Sequence, residues 1–309
     1  MTYSIVARDP GSGQMGVAVQ SRYLAVGTVV PWAEPGVGVV ATQSFLEMSY
    51  GPLGLARMRE GAQAGEALAA LVDADQDQAL RQVAMLDSRG NVAVHTGTRC
   101  VREAGSAAAE GVSAQGNMME RDTVWRAMVD AYRASPGDLA DRLMAALRAA
   151  EAEGGDVRGR QSAALVVVGG SPHDEPWERV VDLRVDDHRD PLGELDRLLR
   201  LRRAFDAMDR STDHAKAFRL QEALAEADRA AAQAPEDLQI AFWRVLSLAG
   251  NARLDEARDE MDRIRRAEPR WADFLRRVAE AGLFPKDQSV LDAIAPARLG
   301  AGARTREGR

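Results

Sequence analysis

Thr2–Ser21 reads TYSIVARDPGSGQMGVAVQS, and this stretch decides the fold of the first half of the chain. Thr2–Asp9 is a short run rich in β-formers. Pro10-Gly11-Ser12-Gly13 is a turn signal, and Met15–Ser21 is a second run, so the segment predicts a β-hairpin that starts at residue 2 with no leader before it. Working outward, Val26–Val30 and Val37–Ser44 predict two more strands, separated by Pro31 and Pro35-Gly36. Leu53–Arg59 and Gly65–Val72 then show helical spacing. Gln82–Asp87 and Asn91–Thr96 flank Ser88-Arg89-Gly90 as another hairpin, and Gly111–Gln115 is a short apolar run. Thr123–Arg133 and Leu139–Glu151 are amphipathic helices, and Ser162–Val168 and Glu178–Val185 close the half as strands. Strands, two helices, strands, two helices and strands do not alternate βαβα. A doubly wound parallel sheet is therefore disfavoured, and two packed antiparallel sheets covered by helices fit the order.

After Pro191 the pattern is helical throughout. Arg219–Pro235 (RLQEALAEADRAAAQAP) and Arg253–Pro269 (RLDEARDEMDRIRRAEP) repeat Arg, Leu, Glu, Ala, Glu, Asp, Arg and Pro in register, 34 residues apart. That period, ending in proline, is the signature of tetratricopeptide-like helix pairs, which bury their faces by stacking on neighbours. The expected division is residues 1–190 as the first domain, 191–210 as a linker helix, 211–287 as helical repeats and 288–309 as a disordered tail.

Bulk properties bound the function. The net charge is −7 and the sequence pI about 5.3, which argues against sequence-independent binding of nucleic acid. Lys216 and Lys286 are the only lysines, so a lysine base is excluded from the first two hundred residues. Cys100 is the sole cysteine, which rules out an intramolecular disulfide and suits a reducing compartment. With no signal-peptide pattern at the start and no apolar run long enough to span a membrane, the expectation is a soluble, cytoplasmic protein. There is no P-loop and no dinucleotide GxGxxG. Asp186-Asp187-His188-Arg189-Asp190 has poor ligand spacing for a metal, since consecutive residues point different ways, so neither metal nor cofactor is expected.

Thr2 carries the chemistry. A threonine hydroxyl is a weak nucleophile without a base beside it. At a chain terminus its own α-amine, with a pKa of about 7.7–8.0, can supply that base. Five stretches strengthen this reading: Thr2–Asp9 (TYSIVARD), Gly16–Ser21 (GVAVQS), Val30–Gln43 (VPWAEPGVGVVATQ), Gly154–Leu165 (GGDVRGRQSAAL) and Val181–Asp190 (VDLRVDDHRD). They resemble the bacterial family catalogued as domain of unknown function 1028 over about residues 1–200. The resemblance implies an α+β fold, a four-layer αββα sandwich of two antiparallel sheets of the N-terminal-nucleophile (Ntn) hydrolase type, followed here by the all-α repeat module. It implies a mechanism class and no substrate. The opening is also similar to proteasome-type β subunits, with Val19-Gln20-Ser21-Arg22 in the second strand. Gln20 stands there in place of an acidic residue, and the supporting lysine has no counterpart. Arg22 or Arg158 could supply positive charge but not a base.

Partners for Thr2 follow. Asp156 and Arg158 lie in a glycine-rich loop entering a strand. They are read as a site carboxylate and cation, against the alternative of an ordinary helix-to-strand turn. Gln43 and Ser44 end the strand that lies beside the nucleophile in Ntn folds and often lends an oxyanion donor. Asn117 reads as an oxyanion donor or as a turn residue, and His95 as a general acid or a structural histidine. The resulting expectation is an amidohydrolase with Thr2, Asn117 and Asp156 in catalysis and Arg22, Gln43, Ser44, His95 and Arg158 toward the substrate. That substrate is a small amide or peptide, anionic if the arginines face it. The alternatives are an inactive binding or scaffold protein whose repeats hold a protein partner, and a Cys100 hydrolase. A homodimer is compatible with the sequence; nucleic-acid and membrane partners are not expected.

Overall fold

The computed structural model describes residues 2–175, 177–283 and 288–295; Met1 and the tail from 296 to 309 lie outside the described residues. The chain divides into two compact units, Met1–Leu199 and Arg200–Arg309. The first unit holds strands β1 (Thr2–Arg8), β2 (Met15–Ser21), β3 (Pro31–Glu34) and β4 (Gly38–Ser44), then helices α1 (Tyr50–Arg59) and α2 (Ala64–Ala74). Strands β5 (Arg81–Asp87), β6 (Val92–Thr96), β7 (Gly105–Ala109) and β8 (Val112–Asn117) follow. Helices α3 (Val124–Ala134) and α4 (Leu139–Ala152) and strands β9 (Ser162–Val168) and β10 (Arg179–Val185) come last. A six-stranded sheet has the order β10-β9-β2-β1-β8-β7 and a four-stranded sheet the order β3-β4-β5-β6; every pairing is antiparallel.

Strand alternation sorts each residue into one of three cores. Tyr3, Ile5 and Ala7 of β1 face α3 and α4, packing with Met128, Leu143 and Leu147. Val6, with Val17 and Val19 of β2 and Ala164 and Val166 of β9, packs between the sheets against Val39, Ala41 and Leu86. Val40, Val83 and Met85 turn the other way, onto Leu55, Met58 and Leu68 of α1 and α2. Both faces of β1 and β2 are thus covered, which is why these strands read as nearly unbroken apolar runs. The N-terminal part is therefore α+β, with two antiparallel sheets and their helices. An all-helical region follows: α5 (Pro191–Lys216), α6 (Leu220–Gln233), α7 (Leu238–Gly250), α8 (Leu254–Ala267), α9 (Trp271–Glu280) and α10 (Gln288–Ile294). Its cores gather Ala204, Ala227 and Ile240 in one cluster and Phe242, Met261, Ile264 and Leu275 in another. No helix among the described residues is long and apolar enough to cross a membrane.

Four segments differ from the sequence expectation. Val26–Val30 is not a strand: Val26–Thr28 is a short 3-10 turn after Ala25, whose φ of 52° is left-handed. Val26 and Val30 are apolar because they fill the space between the sheets, not because they pair in one. Pro31–Glu34 and Gly105–Ala109 do pair, at sheet edges where proline and small residues are tolerated. Residues 288–294, expected in the tail, form α10, because Ile294 is buried among the apolar side chains of the helical unit.

Candidate active site

The first residue of β1 lies near the middle of the six-stranded sheet, with Ser21 of β2 and Asn117 of β8 directly opposite it on either side. All three side chains face the space between the sheets. Thr2 is 5 % exposed, and its Oγ1 lies 2.9 Å from Ser21 Oγ.

A buried amide network holds the backbone here. Gln43 of β4 donates from Nε2 to the Thr2 carbonyl (3.0 Å) and to Gln82 Oε1 (2.8 Å), and accepts from Ser4 Oγ at 2.7 Å. Asn117 Nδ2 donates to Gln82 Oε1 (2.8 Å) and, weakly, to the Thr2 carbonyl (3.5 Å). Gln82 Nε2 in turn donates to the Gly116 carbonyl at 2.8 Å. Because a carbonyl only accepts, that bond fixes the orientation of every amide in the chain of contacts. Both Nε2 protons of Gln43 are committed, and so are those of Asn117, while Asn117 Oδ1 is buried without a partner among the described residues. These two residues clamp Thr2 and have no proton left for an oxyanion. Ser44 is the contrasting case: its backbone is left-handed (φ 75°) and its buried hydroxyl has no partner among the described residues.

Asp156 closes the other flank. Helix α4 ends at Gly154-Gly155, whose φ values of 106° and 61° turn the chain away, and a Cβ on Gly155 would lie 2.5 Å from Glu151 Oε1. Only glycine fits there. The turn delivers Asp156, whose side chain is 0 % exposed. Its Oδ1 accepts from Arg158 N (2.9 Å) and Nε (3.3 Å); its Oδ2 accepts from Arg22 N (3.2 Å) and Arg158 Nη2 (3.2 Å). Four donors fill the four lone-pair positions of a carboxylate, so Asp156 organises Arg22 and Arg158 and has nothing left to accept a substrate proton. On the opposite face of β1, Glu151 Oε1 accepts from Tyr3 Oη and Gln20 Nε2, both at 2.6 Å, and Oε2 pairs with Arg160 at 3.2 Å. Burial, and then the Glu151 carboxylate, push the Tyr3 hydroxyl well above the usual tyrosine range.

The loops at this end of the sheets are strained. In the first unit the non-glycine residues with left-handed backbone are Ala25, Ser44, Glu103 and Met118. Ser44 and Met118 directly follow Gln43 and Asn117. The Glu103 carbonyl accepts from Met119 N, and Ala25 N donates to Asp186 O beside Arg22. At the opposite end, the hairpin turns place glycine at the same conformation, at residues 13, 36, 90 and 111. A non-glycine residue there costs on the order of 1–2 kcal/mol, and such strain collects at functional sites.

Of the residues singled out from sequence, Thr2, Gln43 and Asn117 come together, Ser44 follows Gln43 in the chain, and Asp156, Arg158 and Arg22 join them on the Ser21 side. His95 does not. It pairs with Val83 on the helix-covered face of the four-stranded sheet, and its Nε2 lies 2.8 Å from the Gln78 carbonyl. Cys100 Sγ donates to the Arg81 carbonyl at 3.4 Å, so each has its own backbone partner. Ser21, Gln82 and Glu151 were not anticipated; Ser21 closes the apolar run of β2, while Gln82 near the start of β5 and Glu151 on α4 carry no such signal. Among the described residues no group of three His, Cys, Asp or Glu side chains could hold a metal ion.

Among curated proteins none matches this chain. The crystal structure of protein SPO2555 from Silicibacter pomeroyi is similar, with 34 % identity and a TM-score of 0.58, over 64 % of this chain and 87 % of that one. Residues 2–195 match a family of unknown function, DUF1028, to which the Silicibacter protein's description also refers. The match takes in every residue of the site around Thr2, and the chain belongs to this family, DUF1028.

Proposed function

We propose that the first unit is an amidohydrolase of the N-terminal-nucleophile type, built on the αββα layering of that class, with Thr2 as its nucleophile. The observation that carries the reading is a threonine hydroxyl buried at the first position of a central strand, 2.9 Å from a second hydroxyl, at the strained end of both sheets. Cleavage of the Met1–Thr2 bond frees the Thr2 α-amine, whose ordinary pKa of about 7.7–8.0 leaves a usable neutral fraction near pH 7. Thr2 Oγ1 attacks the amide carbonyl carbon while its proton passes to the α-amine. The C–N bond then breaks as that proton moves to the leaving nitrogen, giving a free amine and an ester on Thr2. Water adds to the ester, the acid departs and the hydroxyl is restored.

The roles follow from which protons remain free. Gln43 and Asn117 hold the Thr2 backbone. The developing oxyanion falls to strand-end N–H groups and to the Ser44 hydroxyl, which has no partner among the described residues. Asp156 is a positioning residue that fixes Arg22 and Arg158, and those arginines favour a small anionic amide or peptide as substrate. No metal or cofactor enters this scheme, and a cytoplasmic location suits it.

A second reading is favoured by the helical unit. Helices α6 and α8 start 34 residues apart, at Leu220 and Leu254, with α7 and α9 as their following helices. That is the spacing of tetratricopeptide-like pairs, whose usual role is to hold a peptide or protein partner. On this reading the first unit is an inactive scaffold. Intact mass of the full chain, before and after an acylating β-lactone, separates the two. The hydrolase reading expects loss of Met1 and an adduct on the Thr2 peptide that is absent from Thr2→Ala. A chain that keeps Met1, or takes up label equally in Thr2→Ala, would overturn it.

A further inference from the structure

A recess of about 730 Å³ lies at the same end of the six-stranded sheet as Thr2, walled by the loops that follow β2, precede β9 and follow β10. Four arginines line it, Arg22, Arg158, Arg160 and Arg189, with Asp187 and Asp190. They are not equivalent. Arg158 lies on the buried Asp156 carboxylate, and Arg160 is shared between Glu151 (3.2 Å) and Asp190 (3.6 Å). Arg22 is anchored at its root, because its backbone N–H donates to Asp156, but among the described residues its guanidinium meets a neutral acceptor, Gln161 Oε1. Gln161 is oriented for this by its own bond from Nε2 to Asp187 Oδ1 at 3.1 Å. Neither Arg22 nor Arg189 makes an ion pair among the described residues. With Asp156 and Glu151 counted beside Asp187 and Asp190, four carboxylates meet the four arginines, so the place for an anion is local, at Arg22 and Arg189, which suits a monoanion better than a phosphate dianion.

A guanidinium stays charged at any working pH and offers five donors in a planar fork that matches a carboxylate. Arg22 uses one of them. Exposed apolar residues adjoin the recess lining in the chain: Tyr23 and Leu24, after Arg22, are 54 % and 60 % exposed, and Val157, before Arg158, is 53 % exposed.

We infer that this recess is the carboxylate subsite of the substrate, and that the substrate class is an N-acyl amino acid with an apolar side chain. Arg22 forks onto the carboxylate, and Tyr23, Leu24 and Val157 receive the side chain. The assignment of the scissile amide rests on the Thr2 reading; the binding subsite stands on its own geometry.

The test is calorimetric titration of full-length Thr2→Ala protein, which cannot turn over, with N-acetyl-L-leucine and with its C-terminal amide, N-acetyl-L-leucinamide. The acid is expected to bind roughly tenfold or more tightly than the amide, the range of a charge-assisted hydrogen bond. Adding Arg22→Gln should bring the acid down to the affinity of the amide, with an unchanged urea midpoint reporting that the variant is folded; Arg22→Lys should restore part of the advantage. Equal binding of acid and amide, no effect of Arg22→Gln, or no binding of the acid at about 10 mM, where even a contact worth a few kcal/mol registers, overturns the inference. The two proposals fail separately. If the acid binds and the unmutated chain leaves it intact, the nucleophile is wrong and the subsite stands. If the unmutated chain cleaves acid and amide alike, the nucleophile stands and the subsite falls.

Discussion

Gln82 is the residue on which the site is hung. It is fully buried, and its amide joins both sheets: Oε1 accepts from Gln43 and Asn117, and Nε2 donates to the Gly116 carbonyl and to Thr96 Oγ1 at 3.1 Å. Gln82→Met keeps the volume and removes every one of these bonds, leaving two amide donors and a carbonyl unsatisfied in a dry interior. The expected loss is about 2–4 kcal/mol, read as a lower urea midpoint with unchanged slope. The same variant should acylate more slowly at Thr2, because the clamp on the Thr2 carbonyl loosens; an unchanged midpoint and labelling rate would show that the network is incidental. This residue was not legible in the sequence, because a glutamine that opens an apolar strand reads as a solvated strand end. Only the stacking of one sheet on the other makes it an interior bridge. Thr2, Gln43 and Asn117 were legible, since each stands at an end of an apolar run. The role of Asp156 was not: that its four acceptor positions are filled depends on where Arg22 of a distant loop puts its N–H.

At the scale of elements, Asp75 ties three together. It ends α2, accepts from Arg81 Nε at the start of β5 (2.8 Å), and accepts from the Tyr50 hydroxyl at the start of α1 (3.1 Å). The Arg81 hydrogen bond, then the Asp77 N–H and the Tyr50 hydroxyl, hold its carboxyl below the usual carboxylate range, while burial and Asp75 push the Tyr50 hydroxyl up. A depressed folded-state pKa gives stability that is complete above the unfolded value, near pH 4, and is lost as pH falls through the folded value. Asp75→Asn should therefore cost about 1–2 kcal/mol at pH 7, discounted for partial exposure, and the difference from the parent chain should shrink below about pH 4. A difference that persists unchanged to pH 2 would assign the effect to packing. Most elements around this tie were legible from periodicity, α1, α2, β4 and β5 among them. Where periodicity failed the reason is physical. The valines of Val26–Val30 are apolar for the space between the sheets, and Gly105–Ala109 (GSAAA) pairs as an edge strand with no side-chain pattern to betray it.

For the whole molecule, the change of composition after Pro191 marked a change of architecture, and the cores follow it: three belong to the sheets and their helices, two to the helical unit. The aromatic centre of the helical unit is Phe242, fully buried, with its ring 5.1 Å from Trp271 and 5.0 Å from Phe274. Truncating such a residue costs about 3–5 kcal/mol, a large share of what a unit this size has in hand. If each unit is held by its own core, Phe242→Ala strips hydrogen-exchange protection from α7, α8 and α9 and leaves β1, β2 and β9 as slow as before. The Thr2 adduct should then form at the parental rate, because the site lies entirely within the first unit's residues. Loss of protection in the sheets as well would mean that the two units fold as one cooperative body. The nucleophile would then depend on the helices for its stability.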